Sequence, residues 1–103
     1  MATTEFEVVL SVRDYKGSFD DAQCATDDAK QQAIDEICSD LMECGYSEKQ
    51  ARKMVKQVKV TRIRFEEFDS SNPTHADAYF LATVSGPKKI IDIHEYVQAQ
   101  NNR

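Results

Sequence analysis

Seven basic side chains and no acidic one occupy the sixteen residues from Lys49 to Arg64. Lys49, Arg52, Lys53 and Lys56 recur at i, i+3, i+4 and i+7, which places them on one face of a helix, and Lys59, Arg62 and Arg64 continue the run. Cations at this spacing neutralise successive phosphates and release their counterions, the chemistry of sequence-independent nucleic-acid binding. Lys88 and Lys89 follow Ser85-Gly86-Pro87 at what reads as a helix start, where free backbone N–H groups and positive charge together suit an anion such as a nucleotide phosphate. That segment lacks the glycine spacing of a nucleotide loop, and Pro87 removes one donor. The whole chain carries a net charge of -5 and a pI near 4.9, whereas a nucleic-acid footprint implies a pI above about 9.

The opposite charge is gathered in the first half. Residues 1 to 48 hold twelve acidic and three basic side chains, and residues 49 to 103 hold six acidic and ten basic ones. The acidic set Asp20, Asp21, Asp27, Asp28, Asp35, Glu36, Asp40 and Glu43 can present spaced negative charge to a basic partner, either a protein or the nucleic-acid-binding groove of one. Such mimicry is typical of small phage inhibitors. Asp28, Asp35, Asp40 and Glu43 are the carboxylates expected to make the contact. A charged helix face that does nothing but meet water is the plainer alternative for the acidic and the basic sets alike.

Nucleophilic and metal chemistry find less support. Cys38 and Cys44 are six apart, Cys24 stands alone, and neither His75 nor His94 has a ligand-like neighbour, so no zinc or other metal site and no cofactor is expected. His94-Glu95 is not followed by the second histidine of a metalloprotease helix. No acid, base and nucleophile share a recognisable spacing, so the chain reads as non-catalytic. Three cysteines cannot all pair within one chain, which favours a reducing compartment. The first residues lack a basic segment followed by an apolar one, and no apolar run approaches the roughly 20 residues of a membrane span, so a cytoplasmic location without membrane association is expected.

The elements that must position these groups follow from periodicity. A chain of 103 residues with 41% apolar and 30% charged side chains makes one globular domain. Phe6, Val8, Leu10 and Val12 alternate with Glu5, Glu7, Ser11 and Arg13 as in a half-buried strand. A helix is expected from near Asp20, with an inward stripe of Ile34, Ile37, Cys38, Leu41 and Met42, and Gly45 is its natural stop. Asp28, Asp35, Glu36, Asp40 and Glu43 fall mainly off that stripe. Ser47 and Gln50 read as a capping box opening a second helix with Ala51, Met54, Val55 and Val58 inward. The β-branched and aromatic run Val58 to Phe68 reads as a strand with a bulge near Thr61-Arg62, the segment 69 to 75 as a polar loop, and Ala78 to Val84 as a third strand covered on both sides. A last helix after Pro87 turns Ile90, Ile93 or Ile91, His94 and Val97 inward.

The order β-α-α-β-β-α predicts an α+β fold, with a three-stranded, mainly antiparallel sheet and its helices packed on one face. It resembles a ferredoxin-like unit short of its final strand, which leaves a sheet edge open for homodimer formation or for pairing with a partner.

A local resemblance covers residues 37 to 58. The run Leu41-Met-Glu-Cys-Gly-Tyr-Ser-Glu-Lys-Gln-Ala51 resembles the first two helices of ubiquitin-associated domains and of the helical C-terminal domain of a Holliday-junction branch-migration protein. Both are protein-binding three-helix modules. The resemblance implies a partner contact at Met42, Gly45 and Tyr46, although the third helix of such modules has no counterpart, because Val58 to Phe68 reads as strand.

The first expectation is therefore a small acidic, non-catalytic protein-interaction module, a regulator or inhibitor of the phage type, with Asp28, Asp35, Asp40, Glu43, Met42 and Tyr46 at the contact. The second is an anion-binding module that takes nucleic acid or a nucleotide on Lys49, Arg52, Lys53, Lys56, Arg62, Arg64, Lys88 and Lys89.

Overall fold

A computed structural model of the chain describes residues 1–12, 25–69 and 76–101. Strand β1 (Ala2–Val12) is followed by helix α1 (Thr26–Glu43), the short helix α2 (Glu48–Met54) with a 3₁₀ turn at Val55–Gln57, the hairpin strands β2 (Lys59–Asp69) and β3 (Ala76–Gly86), and helix α3 (Lys88–Asn101). The fold is α+β, and its three strands form one antiparallel sheet in the order β1-β3-β2. β1 and β2 thus run parallel on either side of β3, the split β-α-β arrangement of ferredoxin-like units. The expected helix start near Asp20, Cys24 and His75 lie outside the described residues.

Alternation sets which way the sheet faces. Val8 on β1 and Ala78, Phe80, Ala82 and Val84 on β3 are buried against the helices, while Glu5 and Glu7 on β1 are exposed on the other face. Tyr79, Leu81 and Thr83 are only half-buried, so β3 is not covered on both sides: the helices pack on one face and leave the other open. On β2 the core-facing residues Val60, Ile63, Phe65 and Phe68 are spaced three, two and three apart, which strict alternation forbids. Register shifts between Val60 and Arg62 and between Phe65 and Glu67 absorb the extra residues Thr61 and Glu66 as bulges. The first is the expected bulge, and the second is new.

The helices close the core. Ala29, Ala33, Ile37 and Leu41 of α1 and Ile90, Ile91 and Val97 of α3 are buried with Phe80 at the centre, whose ring meets Phe65 edge-on at 5.5 Å. Burial of each large side chain of this set contributes about 1.5–3 kcal/mol. α1 ends at Gly45, whose φ of +101° lets the Gly45 N–H reach the Met42 carbonyl and the Tyr46 N–H the Leu41 carbonyl, at 3.1 and 3.2 Å. Two residues later the Ser47 hydroxyl accepts from the Gln50 N–H and the Gln50 side chain accepts from the Ser47 N–H, which starts α2 in the new direction.

Candidate functional site

Among the described residues β1 pairs with β3 alone and forms one edge of the sheet, beside which α1 and α3 leave a space. A groove results. At one end it lies between Leu10 and Ser11 of β1 and Asp28, Gln32 and Asp35 of α1, and at the other between Thr4–Glu7 and His94, Glu95 and Gln98 of α3. Gln32, Asp35 and Gln98 also line a hollow with Glu36 and Asp40 that joins the two ends. Seven carboxylates line the groove, those of Glu5, Glu7, Asp28, Asp35, Glu36, Asp40 and Glu95, and no Lys or Arg does among the described residues.

Its floor is a buried polar pair. His94 Nδ1 lies 2.5 Å from Asp40 Oδ2, with the two residues only 1% and 4% exposed. Gln98 Nε2 donates to the same carboxylate at 3.2 and 3.4 Å, so Asp40 acts as acceptor and the His94 Nδ1 carries the proton. The ring packs at 4.4 Å on Phe6 of β1. The arrangement holds the imidazole in place between α1 and β1. Beside it, burial raises the Glu36 pKa above its ordinary value; the Asp40 charge adds to the rise, and His94 and the Gln32 side chain partly oppose it. Among the described residues no group of three or more His, Cys, Asp or Glu side chains is arranged to hold a metal ion.

The sequence-predicted acidic residues therefore separate. Asp28 and Asp35 stand exposed on the groove wall, with the Gln31 amide donating to Asp35 at 3.0 Å. Glu43 is exposed at the C-terminal end of α1. Asp40 corrects the expectation, since it points into the protein and is bonded to His94 rather than offered to a partner. Its place was legible in principle: it lies three residues after Ile37 and seven after Ala33, on the buried stripe. Met42 is 43% exposed, and Gly45 is exposed beside it. Tyr46 is half-buried, with Lys89 Nζ 5.9 Å from the centre of its ring.

The basic residues separate as well. Lys49, Arg52, Lys53 and Lys56 line one shallow depression on α2, where Arg52 pairs with the exposed Glu48 at 3.0 Å. Arg62 and Arg64 stand opposite Thr83 and Leu81 and so lie on the open face of the sheet, away from the helical layer. The basic run from Lys49 to Arg64 is thereby divided between the helical layer and the open face of the sheet. Arg64 is held by Glu66 at 2.7 Å, and that bond and charge, followed by Glu5, raise its pKa further. Lys88 is engaged by Asp92 at 3.0 Å. Among the described residues no carboxylate of α1 forms an ion pair with these α2 cations; Arg52 pairs with Glu48 of α2 itself.

Glu5, Glu7, Glu95 and Gln98 are the groove residues that sequence reasoning did not single out for a site. The alternating Glu5 and Glu7 on a strand carried a signal, because charged residues facing one way on an edge strand stay at the surface. The meeting of α1 with α3 left no local trace.

No protein-family model matches the chain, and neither a curated protein nor a solved structure matches it. No helix among the described residues is long and apolar enough to cross a membrane.

Proposed function

We propose that the protein is a small, non-catalytic interaction module, a regulator or inhibitor, that binds a basic surface of a partner protein through the acidic groove beside β1. The observation that carries this reading is the gathering of Asp28, Asp35, Glu36 and Glu95 around one concave surface that, among the described residues, no Lys or Arg lines, with Glu5 and Glu7 at its rim on β1. Carboxylates crowded in a groove steer and orient a cationic partner more effectively than the same charges on a convex face, because the low-dielectric walls focus the field. Cys38 and Cys44 are free thiols, in keeping with a reducing cytoplasmic setting.

The test is affinity capture with the full chain and with the double variant Asp28→Lys, Asp35→Lys, each with and without nuclease. The expected result is a specific partner retained after nuclease treatment by the parent and lost by the variant. Equal capture by both would remove the acidic groove from the account.

A second reading is supported by the α2 depression, in which Lys49, Lys53 and Lys56 are exposed and form no ion pair among the described residues. Under it the module binds nucleic acid or a nucleotide. Lys49→Glu, Lys53→Glu would then abolish retention of a labelled oligonucleotide, and the parent's affinity would fall steeply with salt. Binding that is unchanged by salt, or absent in the parent, would reject it.

A further inference from the structure

The two edges of the sheet are built differently. β2 is interrupted by bulges at Thr61 and Glu66, and its exposed positions carry Lys59, Arg62, Arg64, Glu66 and Glu67, devices that keep another strand from pairing. β1 has neither interruption: its register with β3 runs unbroken from Ala2 opposite Gly86 to Val12 opposite Ala76. A regular strand bonded on one side turns every second N–H and C=O outward on the other, so β1 presents an evenly spaced row of donors and acceptors about 35 Å long.

From this edge we infer that β1 accepts an extended, lysine- or arginine-bearing segment of a partner protein as a fourth strand of the sheet. The inference rests on the reading of the groove as a protein-binding site and names what enters it. Main-chain bonds to β1 supply affinity, and alternate side chains supply selectivity. Side chains of the incoming strand on the inner face stand over the groove, where Glu36 and Asp35 favour a cation. Those on the outer face meet Glu5 and Glu7, which favour a cation again. His94, fixed through Nδ1 by Asp40, lines the groove between these two sets and gives the inner side chain a rigid floor. A second copy of the chain fits less well. Antiparallel pairing of two β1 strands over their full length sets Glu7 against Glu7 and brings two acidic grooves together.

The test titrates the full chain with a ten-residue peptide of alternating lysine and valine, with two versions N-methylated on all lysine or on all valine amides, and with a glutamate–valine analogue. One methylated version has its pairing edge blocked and the other does not. The expected result is binding of the parent peptide, about tenfold or greater weakening for one methylated version only, no binding of the glutamate analogue, and slowed amide exchange at alternate β1 residues. Equal binding of both methylated versions would overturn strand pairing while leaving the acidic groove as a binding site. Failure of the parent peptide to bind would overturn the inference, and the capture experiment with Asp28→Lys, Asp35→Lys would still decide the broader reading. Sedimentation showing a dimer that protects the same β1 amides would assign the edge to a second copy and overturn it too.

Discussion

Asp40 on α1 and His94 on α3 are fifty-four residues apart in sequence and meet at 2.5 Å, almost wholly shielded from solvent. Neither belongs to an apolar core by type, and each stands on the inward stripe of its helix. Every buried side-chain nitrogen and oxygen among the described residues has a partner. The pair thus ties the two long helices together under β1, and it does so without an orphaned polar atom.

The losses on removing the two members should not add. His94→Leu leaves the Asp40 carboxylate buried with the Gln98 amide alone, and should lower unfolding free energy by about 3 kcal/mol. Asp40→Leu, His94→Leu together should cost less than the sum of the two single changes. Urea denaturation of the four species gives the coupling directly, and additive losses would deny that the two residues act as a unit.

Glu36 makes stability depend on pH. Its folded-state pKa is raised above 4.5, chiefly by burial and then by the Asp40 charge, so the native state holds this proton more firmly than the unfolded chain does. Its favourable contribution is full below the ordinary value of 4.5 and is lost as pH rises through the raised folded value, leaving a half-buried charge at neutral pH. Glu36→Gln should therefore be more stable than the parent at pH 7, with the difference vanishing at acid pH. Thermal melts across that range read the effect, and a pH-independent difference would contradict it. The charges facing Glu36 are those of Asp40 and His94, which the substitution leaves in place.

Gly45 offers a sharper test of backbone chemistry. Its φ of +101° leaves open space where a Cβ would sit, so any penalty on substitution is conformational and not a clash. Gly45→Ala should destabilise by about 1–2 kcal/mol, and Gly45→Asn by less, because asparagine tolerates a left-handed backbone. Equal losses for the two would point away from conformation as the cause.

How much of this was readable beforehand depends on the range of the interaction. The Gly45 stop, the Ser47–Gln50 box and the Thr61 bulge are consequences of residues within a few positions of one another, and local chemistry decides them. Strand β1 was equally plain from Phe6, Val8 and Leu10. Asp40 was misread because aspartate on a helix is ordinarily a surface residue, and only a partner on α3 makes its burial affordable in solvation terms. The second bulge, at Glu66, escaped notice because Phe65 and Phe68 reveal it only once β3 fixes the register. The split of the basic run was hidden for a related reason: Lys56 and Arg62 are near in sequence, yet one sits in the helical layer and the other on the open face of the sheet.

Core and surface substitutions should differ by an order of magnitude. Phe80→Ala empties the centre of the core and should cost about 3–5 kcal/mol, a large part of what a domain this size possesses. Arg52→Ala breaks a pair whose side chains are 70% and 63% exposed, and should change stability by no more than about 0.5 kcal/mol. Comparable shifts in the urea midpoint would mean that the packing described around Phe80 is not the native one.

The contrast between a smooth first strand and a kinked second one gives the sheet a direction. A sheet open on both sides can lengthen in two directions, whereas one with a single regular edge lengthens from that side alone. If a strand joins the sheet as proposed, the bulges at Thr61 and Glu66 confine the addition to the β1 side, so that this molecule forms one end of whatever sheet it enters.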